Sequence, residues 1–147
     1  MNKRKQTALN AIKQILHNAG LRITPQRVVI YSAVLKCANH PCAEKIYKAI
    51  SLENPNISFD TVNRTLISFA ERGIFNIVEG YHTAKCYDHN TVEHNHYRCV
   101  KCGEIFDCWF KPYNKLATPD DIPENFAVKR KKVIIEGVCG KCKKIYS

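Results

Sequence analysis

Three features of this sequence predict an α+β fold with helices first and strands after. Apolar residues recur at helical spacing as far as Gly73 and at strand spacing beyond it. Gly and Pro cut the helical part into four segments, and two Cys-x-x-Cys pairs fall in the strand-rich remainder. The first predicted helix starts at Thr7 and carries Ala8, Ala11, Ile12, Ile15, Leu16 and Ala19 as its apolar stripe, with Gly20 at its C-terminal cap. Thr24-Pro25 opens the second, an N-cap followed by Pro at the first helical position, and Val28, Val29, Tyr31, Val34 and Leu35 lead to an end near Cys37. His40-Pro41 opens a third, with Ala43, Ile46, Tyr47 and Ile50 inward, and Glu53-Asn54-Pro55-Asn56 breaks it. Ser58 caps a fourth, with Asp60 in its first turn and Val62, Leu66, Phe69 and Ala70 inward, before Gly73 stops it. Phe75–Glu79 and Lys85–Asp88 then predict two strands around a turn at Gly80. Beyond His89, strands are expected within His96–Cys108 and Phe126–Val138, separated by a segment containing Pro112, Pro119 and Pro123, so the domain boundary is placed near residues 89–93.

The chain has 147 residues, enough for one domain or two small ones, and its 45% hydrophobic and 24% charged residues exclude disordered and collagen-like classes. No apolar run approaches the ~20 residues of a membrane span, and the basic start Met1-Asn2-Lys3-Arg4-Lys5 leads into an amphipathic segment, so a cytoplasmic location is expected. The net charge of +10, more of it in the helical half, favours an anionic partner: nucleic acid first, with membrane headgroups as the other candidate.

The third and fourth helices joined by a short turn, with a hairpin after them, form a winged helix-turn-helix. A helix fits the major groove of DNA, where Arg64 can fork onto guanine and Asn63 onto adenine, while Ser58 and Thr61 reach phosphates or a thymine methyl and Arg22 adds a contact from outside the helix. The competing reading is a helical bundle whose polar face is merely solvated.

Cys99-x-x-Cys102 and Cys139-x-x-Cys142 each place two thiolates on one tight turn, and two such turns complete the tetrahedron of a structural zinc, one per chain. The long segment 103–138 between them implies that the knuckles clamp two ends of one sheet. A dithiol catalyst needs one pair, and four sulfur ligands leave no open position for chemistry, so an enzyme is not expected. Cys37, Cys42, Cys86 and Cys108 have no such spacing and are expected as free, mostly buried thiols rather than a disulfide framework, with Cys42 near enough to a helix N-terminus to be activated. His94 and His96 alternate on one side of a strand, with Asp88 and Asp107 near in sequence; two imidazoles with carboxylates suit Fe(II), Mn(II) or Zn(II) better than Ca(II).

In this order the motifs resemble the ferric uptake regulator family. Arg22-Ile-Thr-Pro-Gln-Arg27 is similar to its opening motif, His40-Pro41-Cys42-Ala43-Glu44-Lys45-Ile46-Tyr47 to its His-Pro helix, and Thr61-Val62-Asn63-Arg64-Thr65-Leu66 to its recognition helix. His94-x-His96-x-x-Cys99-x-x-Cys102-Gly103 and Cys139-x-x-Cys142 complete the pattern. The resemblance implies a winged-helix DNA-binding domain over residues 1–88, a hinge at 89–93, and an α+β dimerisation and metal-binding domain over 94–147. It implies a homodimer on an inverted-repeat operator, which matches the symmetry of helix-turn-helix dimers.

The peroxide-responsive branch is the nearest likeness, since its regulatory site of three histidines and two aspartates has counterparts in His40, Asp88, His94, His96 and Asp107. The resemblance therefore implies one regulatory Fe(II) or Mn(II) per chain and iron-dependent oxidation of His40 or His94 by hydrogen peroxide. Asn63 stands where the family usually has Tyr, so the operator need not follow better-known members. A regulator of iron or zinc uptake that responds to metal level alone is the alternative.

Overall fold

The computed structural model describes residues 3–79 and 84–145 of the chain. The expected turn at Gly80 and the histidine at position 82 lie outside the described residues. The chain divides into two compact units, Met1–Thr91 and Val92–Ser147.

The first unit holds α1 (Lys3–Asn18), α2 (Pro25–Lys36), α3 (Ala43–Ile50), α4 (Phe59–Glu71), β1 (Asn76–Glu79) and β2 (Lys85–Asp88). Helix α1 begins a turn before Thr7, because Lys3 to Gln6 are all good helix formers and nothing among them stops it. Its buried stripe is narrower than expected: Ile12 and Leu16 enter the core, while Ala8, Ala11 and Ile15 stay exposed. Gly20 closes α1 at φ +69°, donating its N–H to His17 O while Leu21 N reaches back to Leu16 O, and left-handed backbone of this kind favours glycine. The hydroxyl of Thr24 caps α2 by accepting from Arg27 N at 3.3 Å.

Helix α3 starts at Ala43, later than the His40-Pro41 start expected from the sequence. The physical reason is that the preceding backbone is extended: Cys42 forms an isolated antiparallel bridge with Cys86, and Tyr87 N donates to Pro41 O. Helix α4 is capped by Ser58, whose hydroxyl accepts from Thr61 N at 3.1 Å, and it ends before Gly73 at φ +70°. One core joins all four helices through Leu16, Ile30, Val34, Ile46, Val62, Leu66 and Phe69, with Phe75 and Tyr87 contributed from the hairpin side. Tyr31, Phe69 and Phe75 pack ring against ring at centroid distances of 5.1–5.9 Å. Strands β1 and β2 pair antiparallel, with Asn76 opposite Asp88.

The second unit holds β3 (Asn95–Cys99), β4 (Ile105–Cys108), α5 (Lys111–Asn114), β5 (Ile134–Gly137) and α6 (Gly140–Ile145). The sheet order is β4-β3-β5, with β3 antiparallel to β4 and parallel to β5. A parallel pair needs a long crossover, which the segment after β4 supplies. The segment expected to be one strand from Phe126 to Val138 is a strand only over Ile134–Gly137. Residues 126–132 are exposed and irregular, and a run containing Lys129, Arg130, Lys131 and Lys132 has no apolar face to bury against the sheet. Among the described residues no helix is long and apolar enough to cross a membrane.

Candidate metal centres and nucleic-acid interface

The four knuckle cysteines converge at the C-terminal ends of β3 and β5. Cys99 closes β3, and the chain turns through Cys102 and Gly103, whose N–H donates to Cys99 O at 2.9 Å with φ +72°. Adjacent β5 delivers Cys139 just ahead of α6, and Cys142 lies in the first turn of that helix. The four sulfur atoms all lie within 4.8 Å of one another, with Cys102 Sγ and Cys139 Sγ at 3.8 Å. A tetrahedron with Zn–S bonds of about 2.3 Å has edges of about 3.8 Å, so the donor set and its spacing fit a structural zinc. The N–H of Cys139 donates to Cys99 Sγ at 3.3 Å. This bond, joined by one from the Cys102 backbone, lowers the Cys99 thiol to about 6, whereas burial and then the Cys139 sulfur push Cys142 up to about 12. Thiols crowded this closely cannot all ionise without a cation among them. Lys141, between the two cysteines of the second knuckle, lies with its ammonium 3.8 Å from the Glu104 carboxylate.

Each unit also carries nitrogen and oxygen donors. In the second, His96 lies opposite Asp107 in the β3–β4 register, and His94 Nε2 approaches Asp107 Oδ1 to 3.3 Å. The expected alternation brings the two imidazoles together, with ring centroids 4.6 Å apart. One ligating atom from each of His94, His96 and Asp107 falls within 4.8 Å of the others. His94 Nδ1 lies 2.7 Å from the carbonyl of Val92, which assigns the proton to Nδ1 and turns the Nε2 lone pair toward Asp107. Trp109 stacks on the His94 ring at 4.7 Å with an interplanar angle of 17°. Sequence reasoning did not pick out Trp109, since no periodicity links it to His94.

In the first unit, His40 Nε2 lies 3.6 Å from Asp88 Oδ2, and both side chains are almost wholly buried. The other oxygen of Asp88 accepts from Asn90 N at 2.8 Å. The ring nitrogens Nε2 of His40, His94 and His96 and Asp88 Oδ2 are all screened from solvent. Imidazole nitrogens and carboxylates buried in this way suit a borderline divalent metal such as Fe(II), Mn(II) or Zn(II).

The residues expected to read DNA lie on and beside α4. Arg64 is largely exposed and forms an i,i+4 pair with Asp60 at 3.8 Å. Asn63 and Thr61 are half-buried on the same helix. Ser58 and Thr61 also join their hydroxyls at 3.0 Å, beside the bond by which Ser58 caps α4. Arg22 is exposed, and its carbonyl accepts from the Arg27 guanidinium at 2.6 Å.

Of the four remaining cysteines, Cys37 and Cys108 are free, as expected. Cys42 and Cys86 are not: they form a disulfide across the α3–β2 bridge. The expectation of free thiols there fails because two segments distant in sequence place these residues face to face, which local spacing cannot reveal.

Comparison with known proteins agrees with this arrangement. A profile of the ferric uptake regulator family matches residues 18–136. The chain is 35% identical over 128 residues to the peroxide-responsive repressor PerR of Staphylococcus epidermidis, covering 87% of this chain and 85% of that one. In fold it is similar to the ferric uptake regulator of Helicobacter pylori, described as having three functional metal binding sites, with TM-score 0.68, 18% identity, and 94% and 93% of the two chains covered. It is likewise similar to the ferric uptake regulator of Pseudomonas aeruginosa with manganese, with TM-score 0.67, 21% identity, and 88% and 98% covered. The motifs, the four-sulfur cluster and the match over most of its length together place this chain in the ferric uptake regulator family.

Proposed function

We propose that this chain is a homodimeric, metal-dependent transcriptional repressor of the cytoplasm that senses hydrogen peroxide by iron-dependent oxidation of ligand histidines. The observation that carries the peroxide reading is the 35% identity to a peroxide-responsive repressor over 87% of the chain. The chemistry of the two donor groups supports it. Residues 1–88 act as the DNA-binding domain and contribute His40 and Asp88, residues 94–147 act as the dimerisation domain and contribute His94, His96 and Asp107, and residues 89–93 serve as the hinge. A metal that takes ligands from both sides of a hinge favours one arrangement of the domains, and its loss releases that constraint.

Bound Fe(II) supplies the electrons that activate hydrogen peroxide beside an imidazole. The chain's own residues do the rest. Val92 O holds the proton on His94 Nδ1, which keeps Nε2 available as a ligand, and Trp109 covers one face of that ring. His40 and His94 are the residues that gain oxygen, and a ligand so altered no longer holds the metal. On the DNA side, Arg64 and Asn63 read base edges while Arg22, Ser58 and Thr61 contact the backbone of an inverted-repeat operator. Exposed Trp109, Phe110, Leu116, Phe126 and Val128 in the second unit support pairing with another copy.

The test is mass spectrometry of protein loaded anaerobically with Fe(II), then given a small dose of hydrogen peroxide, with Mn(II)-loaded protein as control. One oxygen added to peptides bearing His40 or His94, with iron only, is the expected result. Unmodified histidines with operator binding still dependent on added metal would instead indicate a regulator of iron or zinc uptake.

A further inference from the structure

Cys42 and Cys86 stand in the first unit, remote in sequence from the zinc knuckles. Cys42 lies at the N-cap of α3 in extended backbone, and its thiol side chain makes no capping hydrogen bond. Cys86 is central to β2 and 2% exposed, while Cys42 is half-buried. Their Cα atoms are 4.0 Å apart across an isolated antiparallel bridge, with 44 residues of chain between them. The bridge is held by backbone as well as sulfur, since Tyr87 N donates to Pro41 O at 3.0 Å. The two sulfurs therefore stay adjacent when reduced, which is the geometric requirement for a pair that opens and closes.

We propose that Cys42 and Cys86 form a reversible dithiol–disulfide pair, a second oxidant-responsive site that staples the first helix of the helix-turn-helix to the wing. It goes beyond the histidine chemistry proposed above and needs neither iron nor any histidine. The oxidant is hydrogen peroxide. The half-buried Cys42 sulfur attacks one peroxide oxygen, the O–O bond breaks, and a sulfenic acid and one water form. The Cys86 sulfur then displaces the sulfenic oxygen, which leaves as a second water, so two thiols and one peroxide become one disulfide and two waters.

The consequence follows from where the pair lies. His40 is two residues before Cys42 and Asp88 two residues after Cys86, and these flanking residues face each other at 3.6 Å. A covalent link between the segments that carry them restricts their relative movement, so the bonded form presents His40 and Asp88 already assembled. The reduced form holds the same segments through the backbone bridge alone, so His40 and Asp88 keep more freedom that metal binding must remove.

The test uses full-length, zinc-loaded protein without iron. Protein reduced and then treated with hydrogen peroxide is alkylated, digested without reductant and analysed by mass spectrometry. The expected result is a linked peptide joining Cys42 to Cys86, lighter by two hydrogens, abolished by added thiol and absent from Cys42→Ser, while zinc content is unchanged. Full alkylation of both cysteines after peroxide overturns the proposal, as does linkage confined to the knuckle cysteines with loss of zinc. In a second arm, Mn(II) titrations compare the linked and reduced proteins. A midpoint at lower Mn(II) for the linked form, with no such difference in Cys86→Ser, supports the coupling to His40 and Asp88; equal midpoints overturn that coupling. Because the first arm contains no iron, its failure is separable from failure of histidine oxidation.

Discussion

His94 shows how much one side chain is asked to do. Its Nδ1 is committed to Val92 O and its face to Trp109, which orient the ring before any metal arrives and leave the Nε2 lone pair aimed toward the Asp107 carboxylate as a ligand. His94→Ala should leave zinc content and melting temperature close to wild type and remove the Mn(II) response of operator binding; aggregation of the variant would count against separate roles for the two donor groups. The knuckle thiols give a sign for pH. At pH 7 Cys99, lowered to about 6, is already largely ionised, while Cys142, pushed to about 12, still holds its proton. Zinc uptake at pH 7 must therefore expel the Cys142 proton, so zinc affinity of the metal-free protein rises with pH above 7. Below pH 6 the Cys99 proton joins the competition and the fall in affinity steepens, which a zinc competition titration between pH 5 and 8 measures. For DNA, Arg64→Ala should weaken operator binding by about 1–3 kcal/mol if the guanidinium reads a base, or lower the salt slope by about one if it contacts phosphate. An affinity and salt slope both unchanged would remove Arg64 from the interface.

At the scale of elements, most boundaries were legible because their signals are local. Thr24-Pro25 and Ser58 predict helix starts that the structure realises as capping hydrogen bonds, and Gly20 and Gly73 predict stops that appear as positive φ. Ser58→Ala should lower stability by about 1 kcal/mol, and Ser58→Asp should restore it, since a carboxylate both caps the helix and meets its dipole favourably. In a domain of this size that loss shifts the melting temperature by about 4–8 °C, read by circular dichroism. What was not legible depended on contacts remote in sequence. The start of α3 is set by the bridge from Cys42 to Cys86, 44 residues away, and no pattern near His40-Pro41 announces it. The width of the buried stripe on α1 depends on how many neighbours that helix has, so Ile15, apolar and in register, still faces solvent. The strand expected from Phe126 is shortened for a different reason: the charged run over residues 129–132 offers no apolar face to the sheet, so only Ile134–Gly137 pairs with β3.

The molecule as a whole is two units that owe their stability to different physics. The first has a continuous apolar core, from Ile12 on α1 to Tyr87 on β2, with many side chains wholly removed from water. The second has a three-stranded sheet and few buried residues, and among those the cysteines Cys99, Cys108 and Cys142 are prominent beside Ile105. A unit this small, whose β4 and β5 are joined by a long, largely exposed segment, falls below the size at which apolar burial alone suffices. A zinc held by the four cysteines at the end of the sheet would supply folding free energy directly, by tying the β3–β4 turn to the end of β5. Removing zinc should consequently act on one unit only. Calorimetry of wild type should resolve a transition that persists in Cys142→Ser, since nothing in the core of the first unit depends on a thiolate, and one that is lost from that variant. Sedimentation of the same variant should show a monomer, because the residues proposed to pair the two copies belong to the unit that zinc holds together. A Cys142→Ser protein that keeps both transitions and remains dimeric would mean that the sheet folds without its metal, and the four sulfurs would then need a role other than structural.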